Sequence, residues 1–126
     1  RDAPAPPWLA RAVDYLEGEI AAGAASVRVR DAAAAAGVHP VHLTRAFRRR
    51  FGCTVTAWAR RRRVHRTAAE LVDARGTLST VAHGRGFADQ SHMNRVFRRE
   101  TGLLPAAFRD LAEALEAHGP ARLHPF

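Results

Sequence analysis

Two short stretches carry the side chains whose types and spacing could do chemistry. In the first, His42, Arg45, Arg48 and Arg49 follow Val41 at intervals that gather them on one side of a helix. In the second, Ser91, His92, Arg95, Arg98 and Arg99 repeat that arrangement, with Gln90 and Asn94 at its edges. A face of this kind suits a major groove. Arg binds guanine O6 and N7 through two parallel bonds, and Asn or Gln can do the same to adenine N6 and N7. The later Arg are spaced to meet phosphates, which position a protein and add affinity without reading sequence. The competing reading makes Arg45 and Arg95 surface ion-pair residues, but the first stretch has no acid nearby in sequence to serve them.

Other chemistries find little support. His39 and His42 lie three apart, yet no Cys, Asp or Glu accompanies them at ligand spacing, so no metal is expected. Asp89, Ser91 and His92 fall within one turn, too close in sequence to converge as a triad. The single Cys, Cys53, can form no internal disulfide and excludes a Cys-rich zinc site. No glycine-rich phosphate loop and no paired carboxylates occur. We therefore expect no catalytic residue, no cofactor and no enzyme on this chain. No run of 18 apolar residues exists, which excludes a transmembrane helix. The chain opens at Arg1 without a signal-like apolar segment, and reads as a piece excised from a protein of a reducing compartment.

The 126 residues carry a net charge of +8 from 20 Arg and no Lys, against 12 acids. No acid lies between Asp31 and Glu70, while nine Arg do, so the whole net charge resides in that segment. A localised basic block points to a polyanion, nucleic acid first and anionic membrane second. A solvated helix face is the plainer alternative. Arg60 to Arg63 step by 100° around a helix, so at least one of them must lie against something. The 47% hydrophobic content is largely Ala, and Leu, Ile, Val and Phe are scarce, so any core must be thin.

An internal repeat positions these residues. Gly37, Leu43, Arg45, Phe47, Arg48, Arg49, Gly52 and Trp58 recur as Gly86, Met93, Arg95, Phe97, Arg98, Arg99, Gly102 and Phe108. The second copy carries one extra residue in its turn. Each copy reads as a short helix, a turn entered through Gly37 or Gly86, and a second helix. The first short helix spans about 29–36, and Thr77 and Asp89 are placed to cap the helices of the second copy. Core stripes follow the 3–4 spacing at Leu43, Ala46, Phe47 and Phe51, and at Met93, Val96 and Phe97. Leu9, Val13, Leu16 and Ile20 mark an opening helix, and residues 54–73 a linker helix with Val64, Ala68 and Leu71 on one side. In a last helix from Pro105, Phe108, Leu111 and Leu115 are expected to face inward. The division is 1–8 linker, 9–53 first unit, 54–73 linker helix, 74–118 second unit and 119–126 loose tail. The fold class is all-α, with two helix-turn-helix units joined by a long helix. Because the charge sits in the first unit and linker, the first unit is expected to supply affinity and the second relatively more selectivity.

The segments GVHPVHLTRAFRRRFG, RVHRTAAELV and especially GFADQSHMNRVFRRETGLLPAAFR resemble the DNA-binding domain of the AraC/XylS family of bacterial transcription regulators. The resemblance runs from about Leu9 to Arg109. It implies seven helices, with one protomer spanning two successive major grooves of double-stranded promoter DNA. By motif position it implies base contacts from Val41, His42, Thr44 and Arg45, and from Gln90, Ser91, His92, Asn94 and Arg95. Arg48, Arg49, Arg98 and Arg99 match positions near the phosphate backbone. It further implies RNA polymerase as a partner, an effector ligand on a separate domain, and a cytoplasmic, nucleoid-associated location. The direction of regulation stays open, with activation the working expectation. The two faces differ, so a non-palindromic site is expected. The family also departs from this sequence in places: His39 and Arg28 stand where Ser or Thr caps are common, Ala32 replaces Leu, Val55 replaces Pro, Arg62 replaces an apolar residue and Met93 an aromatic one. A lost cap costs roughly 1 kcal/mol, which weighs on the first unit. A basic helical module for RNA, anionic lipid or an acidic protein is the alternative; it accounts for the charge but not for the repeat.

Overall fold

All the helices but the one that opens at Val29 start at a side-chain cap or a proline, and three stop at a left-handed glycine, Gly37, Gly52 or Gly102. The computed structural model describes residues 4–73 and 76–118, and all regular structure among them is helical. Residues 1–3 of the expected linker and the expected loose tail, 119–126, lie outside the described residues. Two compact units divide the chain within one helix, between Arg63 and Val64.

In unit one, α1 (Pro7–Ala21) places Pro7 in its first turn, where a missing N–H costs nothing, and buries Leu9, Ala12, Leu16 and Ile20. The second helix, α2 (Val29–Ala36), turns Ala32, Ala33 and Ala36 inward; Arg28 at its N-cap makes no side-chain cap bond. The third, α3 (Pro40–Phe51), buries Leu43 and Phe47. These side chains other than Ile20, together with Val55 at the start of α4 (Val55–Asp73), form one core. Small Ala side chains let α2 approach its neighbours closely, which is how few large residues suffice. Phe47 meets Trp58 edge-on, with ring centroids 5.6 Å apart. The Thr54 hydroxyl accepts the Ala57 N–H at 3.1 Å and caps α4.

The run of four Arg resolves as its helical spacing requires. Arg62 pairs with Glu17 at 3.1 Å and lies over the Trp58 ring, 5.9 Å from its centroid. Arg63 donates to the carbonyls of Ala24 and Ala25, and burial lowers the pKa of its guanidinium. Part of the basic block therefore holds unit one together.

In unit two, Val64 and Leu71 of α4 pack with Val81 and Ala82 of α5 (Leu78–Gly84), Phe87, and Met93 and Phe97 of α6 (Gln90–Thr101). Phe108 of α7 (Pro105–His118) meets Phe97 at 5.6 Å, the counterpart of the Phe47–Trp58 contact. One sequence expectation fails here. Leu111 and Leu115 are 50% and 42% exposed, so inward burial along α7 ends at Phe108. The helical period puts them on the Phe108 side, but among the described residues no element of unit two covers them.

Arg109 ties α7 to the rest of unit two. Its Nε donates to the Leu71 carbonyl at 3.1 Å and its guanidinium to the Gly76 carbonyl at 3.0 Å. Arg109→Ala should lower the stability of unit two by about 1.5–3 kcal/mol, the range for bonds from a charged donor. Urea denaturation followed by circular dichroism checks this, and an unchanged midpoint would contradict it.

Candidate nucleic-acid interface

The two repeats build the same turn. Gly37 and Gly86 adopt left-handed backbone, φ 74° and 84°, where any side chain would be strained. The following amides reach back alike: Val38 N–H to the Ala33 carbonyl and Phe87 N–H to the Ala82 carbonyl, each at 3.0 Å. This is the six-residue return that closes a helix and aims the chain at the next one. In unit one Arg11 adds a bond to the Ala36 carbonyl at 3.1 Å, which fixes the end of α2.

The extra residue of the second copy is Ala88, between the shared turn and the cap of α6. His92 Nδ1 accepts its N–H at 3.2 Å, while the Asp89 carboxylate accepts the His92 N–H at 2.8 Å. The pair resembles a capping box, in which cap and third helical residue serve each other's backbone. The His92 ring also stands edge-on to Phe87 at 5.5 Å. In unit one His39 itself caps α3, its Nδ1 accepting the Val41 N–H at 3.1 Å. The cap that the sequence lacked as Ser is therefore supplied by an imidazole.

Each helix presents an exposed face opposite its buried pair. On α3, Val41, His42, Thr44, Arg45, Arg48 and Arg49 are all exposed, and Val41 is an apolar tip 46% open to solvent. On α6, Ser91, Arg95, Arg98 and Arg99 are exposed, while Gln90, His92 and Asn94 are half-buried. The Asn94 Oδ1 is enclosed without a hydrogen-bond partner. Leaving a buried acceptor unmet costs about 1–3 kcal/mol, so this side chain gains from any donor brought to it. Thus Arg45 and Arg95 stand free to the outside at matching positions, which an amphipathic core helix alone would not require. The His39 and His42 rings lie 6.3 Å apart, and no cluster of three or more potential metal ligands occurs among the described residues.

Residues 32–110 match the helix-turn-helix domain family. The chain belongs to the AraC/XylS family of DNA-binding domains. It is 34% identical over 70 residues to the arabinose operon regulatory protein of Salmonella typhimurium, covering 56% of this chain and 25% of that protein. It is 27% identical over 111 residues to the probable transcription factor PqrA of Proteus vulgaris, covering 88% and 84% of the two chains. Among solved structures, the DNA-binding domain of AdpA in complex with a target DNA superposes with a TM-score of 0.76 at 26% identity, covering 88% and 97%. The chain thus spans a quarter of the arabinose regulator's length. A bifunctional transcriptional activator/DNA repair enzyme of Bacillus subtilis, AdaA, also matches, over 37% of its length and at 27% identity.

Within this AraC/XylS-family domain, three functional supports escaped sequence reasoning. The imidazole cap at His39 falls outside the usual list of cap residues. The Arg11 bond to Ala36 and the Arg109 bonds to α4 and Gly76 join residues far apart in sequence, which spacing does not reveal. The helical wheel places Asn94 at the edge of the face, without showing that its oxygen is enclosed.

Proposed function

We propose that this domain binds double-stranded promoter DNA in a sequence-specific way as part of a bacterial transcription regulator, with α3 and α6 entering successive major grooves. The observation that carries this reading is the duplicated exposed face: Arg45 and Arg95 occupy the same register on two helices with the same entry turn. Val41, His42, Thr44 and Arg45 read one half-site, and Gln90, Ser91, His92, Asn94 and Arg95 read the other. Arg48, Arg49, Arg98 and Arg99 hold phosphates. Asn94, with its unmet oxygen, turns outward to an adenine edge, which offers donor and acceptor together. The 19 residues of α4 measure about 28 Å, close to the ~34 Å between grooves on one face of DNA. Because the faces differ in composition, the two half-sites differ and the whole site is not a palindrome.

RNA polymerase and an effector, bound by another domain of the regulator, complete the proposed partners, and the cytoplasm is the proposed location. No helix among the described residues is long and apolar enough to cross a membrane.

The test is titration of a selected duplex against a scrambled one at fixed salt. Equal affinity for both, or a preference for RNA, sinks the reading. A finer outcome follows for Arg95→Ala: preference is relaxed by about 1–3 kcal/mol at the α6 half-site alone. Uniform weakening across all sequences would instead make Arg95 a phosphate contact.

A further inference from the structure

The α3 cap is chemically unusual. His39 Nδ1 can accept the Val41 N–H at 3.1 Å only when the ring is neutral and its proton sits on Nε2. An imidazolium carries protons on both nitrogens and accepts nothing. Imidazole is also the side chain that ordinarily changes charge between about pH 5 and 8. At the equivalent position of unit two the acceptor is the Asp89 carboxylate, a side chain of a different type, not an imidazole. We propose that His39 is a proton-sensitive positioning residue: taking up a proton releases the first turn of α3 and loosens the first recognition helix from its half-site, while α6 keeps its cap. The inference rests on the DNA-binding reading above.

The surroundings reinforce the direction. A cation at His39 would face the positive end of the α3 dipole. Along α3, the His42 ring lies 6.3 Å away and offers no negative charge. From α1, Arg11 brings a guanidinium to the adjoining end of α2. On α2 itself, the acid is Asp31, in the first turn of that helix and 3.9 Å from Arg30. The Arg11 guanidinium and the α3 dipole thus oppose a further positive charge at this turn. The released turn carries Val41 and His42, the first two proposed base contacts, so the lost cap is felt directly at the bases. Imidazoles also stand at His42 and His92, so the decisive comparison is between side chains at position 39.

The test uses the whole chain, with a duplex recovered from random-sequence DNA by selection at about pH 8 and a scrambled duplex as reference. His39→Asn keeps an acceptor that does not titrate, and His39→Lys is a permanent cation without one. At about pH 8 His39→Asn should match the unaltered protein, and His39→Lys should bind the selected duplex about fivefold more weakly. As the pH falls from about 8 toward 5 the unaltered protein should move toward the His39→Lys level, and His39→Asn should come to bind more tightly than the unaltered protein by up to about fivefold. An equal ratio of His39→Asn to unaltered affinity at both pH values overturns the proposal, as does His39→Lys binding normally at the higher one. Failure to recover any preferred duplex at about pH 8 overturns the DNA-binding reading itself, whereas an intact preference with a constant ratio overturns only the switch.

Discussion

Phe47→Ala should destabilise unit one by about 3–5 kcal/mol, the cost of emptying a fully buried aromatic site. Phe47 is wholly buried, touches Phe51 at 4.6 Å and Trp58 at 5.6 Å, and packs with Leu43 beneath α3. Few large side chains share that core, and the three Ala of α2 cannot expand to fill the space. Cys53, the single cysteine, is half-buried against the same cluster, so its thiol reports opening of this unit. Labelling of Cys53 by a thiol reagent should accelerate on the order of 10²–10³-fold in Phe47→Ala. The repeat partner Phe97 is equally buried but belongs to the core of unit two. Phe97→Ala should lower overall helix stability comparably and leave the Cys53 rate far less changed. If both variants expose Cys53 equally, the two units unfold as one and their separate cores are energetically merged.

Much of this architecture is legible in the sequence because it depends on local rules. Gly37 and Gly86 announce left-handed turns, and Leu43, Phe47, Met93 and Phe97 keep helical spacing relative to them; all four side chains are fully buried. The exposed faces follow by elimination once those stripes are assigned. What local rules leave out is whether a partner surface exists. Leu111 and Leu115 share a stripe with Phe108, yet periodicity carries no information on how far the underlying core reaches, and both are exposed. Caps fail for a different reason: propensity tables rank oxygen acceptors, whereas His39 caps through nitrogen. Similarly, helical spacing requires at least one of Arg60 to Arg63 to lie against something, but it does not name the distant acceptors, Glu17, Ala24 and Ala25, that engage Arg62 and Arg63.

That last distinction sets the expected response to salt. If Arg48, Arg49, Arg98 and Arg99 neutralise about four phosphates, log affinity should fall with log salt at a slope of about −3.6. Raising salt from about 50 to 200 mM would then weaken binding about 150-fold. A diffuse polyanion attraction from all nine Arg of the basic block would give a slope of about −8, but Arg62 and Arg63 are engaged within unit one. The Arg98→Gln/Arg99→Gln double variant should bring the slope to about −1.8 and the loss over the same interval to about 12-fold. These contacts position the helices without reading bases, so the double variant should keep its order of preference among sequences. A steep slope that the double variant leaves unchanged would place the phosphate contacts elsewhere, on the basic segment of α4. A changed order of preference would instead give Arg98 or Arg99 a base to read.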